Sequence, residues 1–321
     1  MSQSIHDFHD DPRNADILIW VNGALKHRSE AVVSVFDSGF VLGDGVWEGL
    51  RVFSGQPVFL DAHLDRLFEG AKAILLDIGM SREQLAQAVE ATLAANGMRE
   101  GVHLRLMVTR GIKRTPYQDP RVNVGPATVV IIPEFKLAKP ETLAQGLTLF
   151  TVHVRRGFPD VQDPKLNSHS KLNCITACIQ ATAAGADEAL MLDPHGFVAT
   201  CNSTHFFIVR RGAVWTSSGD YCLGGITRAN VLQVCREAGI PAFEKNFSLT
   251  EVYSADEAFV TGTFAGLTPV RQIDGRVIGD GRPGPLLARL QGLYLDLVRR
   301  DVEARMRERA AAEAGSGGAA A

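Results

Sequence analysis

The sequence predicts a two-domain α/β (α+β) protein. Its 321 residues are about twice the commonest domain length. Short β-branched strands alternate with amphipathic helices along the chain, and a polar stretch over residues 135–146 resembles a linker. We therefore expect a smaller N-terminal α/β domain over 1–138, a linker over 139–146 and a larger C-terminal domain over 147–300. A helical end and a disordered tail are expected over 301–321.

The first half is predicted to open with a hairpin that turns at Asn22-Gly23. Its strands are expected over Ile17–Val21 and Ala31–Phe36. Asp61 is expected to cap a first long helix, and Ser81 with Gln84 three residues later is typical of a capping box that starts a second. Further strands are expected over 103–109 and 128–132.

The second half is expected to hold the elements of the larger domain. Strands are predicted over 147–154, 188–192 and 206–209, from their β-branched and apolar residues. Helices are predicted over 171–184 and 227–238, each of which is followed by a glycine suited to ending a helix.

Composition excludes several classes of function. Lys and Arg total 33 against 36 Asp and Glu, a net charge of −3, so a nucleic-acid-binding role is not expected. No apolar run approaches the ~20 residues needed to span a bilayer. The acidic start MSQSIHDFHDDPRNAD does not resemble a signal peptide, which favours a cytoplasmic protein. Five cysteines without a CxxC pair indicate neither a disulfide framework nor a metal site.

Two segments have the chemistry of an anion site. Gly224 and Gly225 precede a helix that begins near Thr227, so backbone N–H groups at the helix start can face a phosphate. The run TGT over 261–263 follows a predicted strand and adds hydroxyl groups. In the first half, Arg66 lies among apolar helical neighbours and can aim a fixed cation inward.

These pieces occur in an order that resembles the fold type IV, or class IV, pyridoxal-phosphate aminotransferases. That family includes branched-chain aminotransferases, D-amino-acid transaminases and aminodeoxychorismate lyases. The resemblance covers about Ile17 to Gln272. Its motifs here are GDGVWEGLRVF, HLDRL, VTRG, GADEALMLDPHGFV, GGITR and TGTFAGLTPV.

The resemblance implies a fold, a cofactor and several residue roles. The cofactor is pyridoxal 5'-phosphate, bound between the two domains, and the expected assembly is a homodimer. The family's phosphate contacts carry over to Arg66, to the backbone of Ile226 and Thr227, and to the hydroxyl of Thr263.

The family lysine that forms the Schiff base is replaced in this chain. An ungapped alignment on GADEAL places Asn167 at its position. Lys165 and Lys171 lie nearby. If a helical turn spans this stretch, residues 167 and 171 share a face, so we assign the catalytic amine to Lys171, with Lys165 as the alternative.

A second departure concerns the group that faces the pyridine nitrogen. The family glutamate aligns with Thr200, and the family asparagine aligns with His205. A hydroxyl bonds an unprotonated nitrogen more weakly than a carboxylate holds a protonated one, so the cofactor's electronics should differ. Asp193 or His205 can alternatively supply the charge from a shifted position.

Several residues are candidates for substrate recognition. A substrate carboxylate suits an arginine, and an apolar side chain suits an aromatic pocket. The arginine candidates are Arg51, Arg105, Arg110 and Arg114, and the aromatic candidates are Trp47 and Phe40.

The function expected from the resemblance is transfer of an amino group from an amino acid, branched-chain amino acids among them, to a 2-oxo acid. Two alternatives stay open. One is a lyase of the aminodeoxychorismate kind, and the other is a non-catalytic descendant that still binds the cofactor.

Overall fold

The computed structural model describes residues 10–317. Residues 1–9, which are part of the acidic start, and the last four residues of the predicted tail lie outside it. The chain divides into two compact units. The N-terminal unit comprises Asp11–Lys136 and the chain from Leu295 onward, and the C-terminal unit comprises Leu137–Tyr294 together with Asp10.

The N-terminal unit is built on an antiparallel six-stranded sheet in the order β2-β1-β6-β5-β3-β4. Its strands are β1 (Leu18–Val21), β2 (Ala24–His27), β3 (Gly45–Phe53), β4 (Gln56–Pro57), β5 (Val102–Thr109) and β6 (Thr128–Phe135). Its helices are α1 (Ser38–Leu42), α2 (Leu60–Ala73) and α3 (Arg82–Ala95). Strand β3 alternates between buried and half-buried residues, so the two faces of the sheet have different surroundings.

The first hairpin is confirmed, but its returning strand is not where we predicted it. Asn22 and Gly23 have φ of 48° and 93°, the left-handed values that a two-residue turn requires. Because such a turn reverses the chain at once, the partner strand begins at Ala24 and pairs with Val21. The predicted strand Ala31–Phe36 is therefore wrong.

The two long helices of this unit begin differently. The capping box at Ser81 is confirmed, with reciprocal hydrogen bonds to Gln84 before α3. The cap at Asp61 is wrong, because α2 begins at Leu60 after Phe59, which has a φ of 52° and no side-chain cap. The backbone N–H of Phe59 instead donates to Oδ2 of Asp301 at 2.8 Å. A carboxylate distant in sequence thus binds a group at the helix start.

The C-terminal unit contains a nine-stranded mixed sheet in the order β12-β11-β10-β13-β14-β7-β8-β9, with β15 paired to β14. Its strands are β7 (Leu147–Thr151), β8 (Glu188–Leu192), β9 (Val198–Cys201), β10 (His205–Arg210), β11 (Ala213–Thr216), β12 (Ala242–Glu244), β13 (Glu257–Gly262), β14 (Gly266–Ile273) and β15 (Arg276–Val277). Its helices are α4 (Pro140–Gln145), α5 (Pro159–Gln162), α6 (Leu172–Ala183), α7 (Ile226–Glu237), α8 (Leu249–Tyr253) and the first part of α9 (Pro285–Gly317).

This sheet curls so that two strands far apart in its order approach each other. Four strands separate β10 from β9 in the sheet, yet residues 202–204 alone join them along the chain. Four steps of the chain, from Cys201 to His205, span at most about 14 Å, so the ends of β9 and β10 must lie close together. The curled sheet surrounds a core that includes Leu190, Phe206 and Val260.

The segments predicted to be a linker and a tail both contain helical residues. The predicted linker 139–146 holds α4, and the predicted tail continues as α9 as far as Gly317. No helix within residues 10–317 combines the length and apolarity that crossing a membrane requires.

Candidate active site

Lys171 lies directly before α6 and contacts Asn167, the residue that we expect at the position of the family lysine. Its Nζ donates a hydrogen bond to Oδ1 of Asn167 at 3.0 Å. Asn167 is buried and Lys171 half-buried, whereas Lys165 is exposed. The condition on which the facing argument rested is not met, because no helical turn spans 167–171: Ser168 lies in a β-bridge and His169 in a bend before α6. The two side chains nevertheless meet.

The glycine turn before α7 has the features of an anion cradle. Gly225 caps the helix without a side chain, and its carbonyl accepts the N–H of Ala229 at 2.9 Å. The N–H groups of Ile226 and Thr227 precede this first helical hydrogen bond and have no partner within the helix. They lie at the positive end of a helix of 12 residues. The backbone at this turn therefore suits a phosphate.

Arg228, which sequence reasoning did not single out, attaches this turn to its surroundings. Its Nη2 donates to the carbonyl of Ser217 at 2.6 Å and to Oε2 of Glu244 at 2.7 Å. The Ser217 hydroxyl in turn donates to the carbonyl of Ala199 at 2.7 Å. Because Ala199 precedes Thr200, these bonds connect the start of α7 to strand β9. The available signal was the arginine of the GGITR motif itself.

Thr200 is a buried residue of β9 whose hydroxyl donates to the carbonyl of Thr204 at 2.8 Å. That carbonyl also accepts the N–H of Cys201 at 2.9 Å. The carbonyl therefore keeps a donor if the Thr200 hydroxyl turns elsewhere. Asp193, the alternative charged group, uses Oδ1 to accept the N–H groups of His195 and Phe197.

Glu188 is a second residue that sequence reasoning missed. It is fully buried, and its Oε1 accepts hydrogen bonds from the Ser203 hydroxyl at 2.7 Å and the Thr204 hydroxyl at 3.0 Å. Burial raises the pKa of this carboxyl, although the hydrogen bonds from Ser203 and Thr204 oppose the shift. Glu188 thus holds the loop that joins β9 to β10.

His205 and Thr263 lie on the remaining segments of this unit's candidate site. Nε2 of His205 donates to the carbonyl of Leu223 at 2.7 Å, at the start of the glycine turn. Thr263 is half-buried in the turn between β13 and β14. Its neighbour Thr261 is paired with His205 across β10 and β13.

Arg66 is the phosphate-site candidate of the N-terminal unit. Its Nε donates to Oε1 of Glu48 at 2.8 Å and its Nη2 to Oε2 at 2.6 Å. Nδ1 of His63 lies 2.6 Å from the same Oε2. Burial by itself raises the pKa of Glu48, but the hydrogen bonds and charges of His63 and Arg66 together bring it below its ordinary value. Arg66 is therefore a guanidinium fixed by a buried carboxylate.

The residues predicted to recognise the substrate differ in their positions and partners. Trp47 and Arg51 share one face of β3, and Glu48 lies on the other face, because side chains alternate along a strand. The guanidinium of Arg105 lies 4.3 Å from the centre of the Trp47 ring. Arg110 is held by Asp44 at 2.7 Å and by the carbonyls of residues 74 and 75. Those bonds favour a structural role for Arg110.

In chemical terms, the C-terminal unit offers a half-buried primary amine, an anion-binding helix start and a buried hydroxyl. In the N-terminal unit, taken by itself, Arg66 is a guanidinium whose orientation is fixed. A lysine amine with a phosphate cradle is what an aldehyde cofactor that carries a phosphate requires. No cluster of three or more metal-ligating side chains occurs in the described part of the chain.

Residues 45–273 match the family model described as "Amino-transferase class IV". "Branched-chain-amino-acid aminotransferase-like protein 1" of Arabidopsis thaliana is 42% identical over 287 residues, which are 89% of this chain. This chain spans about half the length of that relative, 52%. The "Putative branched-chain-amino-acid aminotransferase" of Methanocaldococcus jannaschii is 39% identical over 281 residues, 87% of this chain and 96% of the relative.

A solved structure agrees with these relatives. The T.th. branched-chain amino acid aminotransferase with pyridoxamine 5'-phosphate superposes with a TM-score of 0.83 at 33% identity, over 88% of this chain and 94% of that one. The predicted fold type IV architecture is confirmed by this likeness. The chain belongs to the class IV aminotransferase family, as its ordered motifs predicted.

Proposed function

We propose that this protein is a pyridoxal-phosphate-dependent aminotransferase that moves an amino group from an amino acid to a 2-oxo acid. The observation that carries this proposal is the hydrogen bond from Lys171 to Asn167, which orients a half-buried amine in a chain of this family. The names of the relatives favour branched-chain amino acids among the donors.

The residues present suit the cofactor's phosphate. The N–H groups of Ile226 and Thr227 and the hydroxyl of Thr263 are the proposed donors in the C-terminal unit. Arg66, in the N-terminal unit, is a separate candidate for a phosphate-binding cation. Gly224, beside which a Cβ would meet nothing within 4 Å, leaves the backbone open to close approach. When bound, the cofactor supplies a conjugated ring that withdraws electrons from the substrate carbon.

Lys171 is the proposed catalytic residue. With the cofactor bound, its Nζ would be the group that holds the cofactor's aldehyde carbon and that would carry a proton to and from the substrate carbon. Asn167 accepts a hydrogen bond from this amine and so limits its rotamers. Lys165 is exposed and its backbone N–H bonds to Asp163, which supports Lys171 over this alternative.

Thr200 is the proposed partner of the pyridine nitrogen. Its hydroxyl now donates to Thr204, whose carbonyl has a second donor in the N–H of Cys201. The hydroxyl can therefore turn its hydrogen toward an unprotonated nitrogen without leaving that carbonyl unpaired. A hydroxyl carries no charge, so proton transfer by Lys171 would have a larger share in the chemistry than with a carboxylate at this position.

For the substrate, we propose the face of β3 that carries Trp47 and Arg51. The guanidinium of Arg51 can pair with a substrate carboxylate, and the Trp47 ring can line an apolar side-chain pocket. Arg110 remains a weaker candidate, since Asp44 already pairs with it.

We also propose a cytoplasmic homodimer. Leu172, Ile175 and Ile179 form a stripe along α6 and are 74%, 51% and 62% exposed, which supports an interface with a second copy. All five cysteines are free thiols, which is typical of a reducing compartment such as the cytoplasm.

The test is to load the protein with pyridoxal phosphate, fix any imine with borohydride and find the modified lysine by peptide mass. We expect the label on Lys171. Lys171→Ala should lose the label and at least about 100-fold in activity, whereas the control Lys165→Ala should keep both. A label on Lys165 would overturn the assignment of Lys171 as the catalytic lysine. If no lysine is labelled, the proposal that this protein is an aminotransferase is refuted. Stoichiometric formation of an amino acid and an oxo acid separates a transferase from a lyase.

A further inference from the structure

We propose that His205 is a positioning residue that holds the cofactor-phosphate turn in its binding conformation. The proposal rests on the function proposed above and assigns a role to a residue that stands where the family has an asparagine. His205 is the first residue of β10 and is 9% exposed. It reaches the turn over residues 223–227 through two contacts of different kinds.

The first contact is a hydrogen bond at the start of the turn. Nε2 of His205 lies 2.7 Å from the carbonyl oxygen of Leu223. A carbonyl only accepts, so Nε2 must carry the hydrogen in this arrangement. Leu223 directly precedes the two glycines, and the bond therefore fixes the point from which the turn departs.

The second contact is steric and concerns Gly225. A Cβ added to Gly225 would lie 2.3 Å from Cε1 and 2.6 Å from Nδ1 of His205. The φ of Gly225 is −71°, a value open to any residue, so its backbone conformation does not require glycine. The imidazole ring itself occupies the space. Gly225 and His205 are thus a matched pair, with the ring packed against the residue that caps α7.

His205 also lies beside the second phosphate-binding segment. It pairs with Thr261 across the antiparallel strands β10 and β13, so both side chains project from the same face of the sheet. Thr261 is fully buried, and it begins the run that ends at Thr263. His205 therefore contacts the glycine turn and is paired with the first residue of the second segment that is proposed to bind the phosphate.

The two contacts of His205 have a specific consequence for phosphate binding. Ile226 and Thr227 can present their N–H groups to a phosphate only if the turn before them keeps its path. His205 bonds to the start of that path and packs against its middle. Loss of the Nε2–H donor should weaken binding of the phosphate and leave binding of the pyridine ring and aldehyde unchanged.

The experiment compares two ligands on the full chain freed of cofactor. Pyridoxal phosphate carries the phosphate, and pyridoxal lacks it. Dissociation constants are measured by absorbance titration for the wild type, His205→Phe and His205→Gln. Phe keeps a ring without a donor, and Gln places an N–H donor at a similar distance from the backbone.

We expect His205→Phe to bind pyridoxal phosphate about tenfold more weakly, the equivalent of one hydrogen bond to this turn. Its affinity for pyridoxal should match the wild type. His205→Gln should recover most of the lost affinity. The control is His195→Phe, in which an exposed histidine bonded to Tyr221 is changed in the same way. It should behave as the wild type with both ligands.

Several outcomes would overturn the proposal. Equal losses for pyridoxal and pyridoxal phosphate would indicate a general effect on folding, and no loss for either would show that the turn does not need His205. If His205→Phe fails to fold, Gly225→Ala tests the same contact from the other side and should show the same selective loss. A wild-type protein that binds neither ligand would refute the proposed function itself.

Discussion

Nζ of Lys171 lies 3.0 Å from Oδ1 of Asn167, to which it donates a hydrogen bond. The residue that replaces the family lysine therefore contacts the lysine that we propose takes its place. A single acceptor on a long flexible side chain reduces the number of rotamers that the amine visits. The pair gives a reason why the amine can act from a position four residues further along the chain.

Replacement of Asn167 by Leu should lower kcat about fivefold, because the amine loses the acceptor that orients it. Lys171 should still be the residue labelled by borohydride. Steady-state kinetics and peptide mass check both points. Gln233→Leu is the control, since it removes a surface amide bonded to Glu237 in the same unit. An unchanged kcat in Asn167→Leu would show that the hydrogen bond does not matter for turnover.

Glu48→Gln should reduce the free energy of unfolding of the N-terminal unit by about 3 kcal/mol. It removes the charge from a fully buried group bonded to both His63 and Arg66, and a broken buried ion pair is costly. Urea denaturation measures the change. Asp296→Asn is the control, because its pair with Arg299 is 64% and 54% exposed and should contribute less than about 1 kcal/mol. Similar losses for both variants would refute the prediction that the bonds of Glu48 to His63 and Arg66 stabilise the unit more than an exposed ion pair does.

The same carboxyl predicts a dependence on pH. The pKa of Glu48 is lower in the folded protein than in the unfolded chain, because the bonds from His63 and Arg66 outweigh its burial. Its stabilising contribution is therefore present above the unfolded pKa and disappears as the pH falls through the folded value. The gap in unfolding free energy between wild type and Glu48→Gln should narrow in acid. A gap that stays constant from neutral to acidic pH would contradict the shift.

Local signals in the sequence predicted the local structure well. The capping box at Ser81 depends only on two residues three apart, and the turn at Asn22-Gly23 depends on two adjacent residues. The ordered motifs identified the fold because they lie in a stretch that matches one family over residues 45–273. The contacts that build the site were not predictable in this way. His205 meets a carbonyl 18 residues away and Arg228 one 11 residues away, so both depend on how the sheet curls.

Alkaline pH should lower the stability of the protein through ionisation of Tyr253. Burial and the hydrogen bond to Asp274, at 2.7 Å, raise the pKa of its phenol to about 12. A raised pKa favours the neutral phenol in the folded state, so this contribution is present below the unfolded pKa of about 10 and is lost as the pH rises through about 12. Tyr253→Phe should therefore be less stable than the wild type near neutrality by about 1 kcal/mol, and equal to it above that range.

Denaturation at several pH values and the absorbance of the phenolate measure this effect. The control is Tyr117→Phe, in which an exposed tyrosine is changed. The unfolding free energy of this variant should depend on pH in the same way as that of the wild type. A stability gap between wild type and Tyr253→Phe that does not close in alkali would contradict the predicted linkage.

Thr200 gives the prediction that bears most directly on the cofactor. Thr200→Val keeps the side-chain shape and removes the hydroxyl. The carbonyl of Thr204 retains the N–H of Cys201, so the stability loss should be under about 1 kcal/mol. We expect kcat to fall about tenfold, with affinity for pyridoxal phosphate nearly unchanged, because the hydroxyl is proposed to bond the ring nitrogen and not the phosphate.

Thr200→Glu tests the same position from the opposite direction. It buries a carboxylate at a site that is 6% exposed, so the cofactor-free protein should lose at least about 2 kcal/mol of stability. Pyridoxal phosphate should restore more stability to this variant than to the wild type, since a protonated ring nitrogen can pair with the new charge. The control Thr176→Val removes an exposed hydroxyl that donates to Leu172 and should change neither kcat nor the cofactor's effect. If Thr200→Val keeps full kcat and Thr200→Glu gains no extra stability from the cofactor, Thr200 does not face the ring nitrogen.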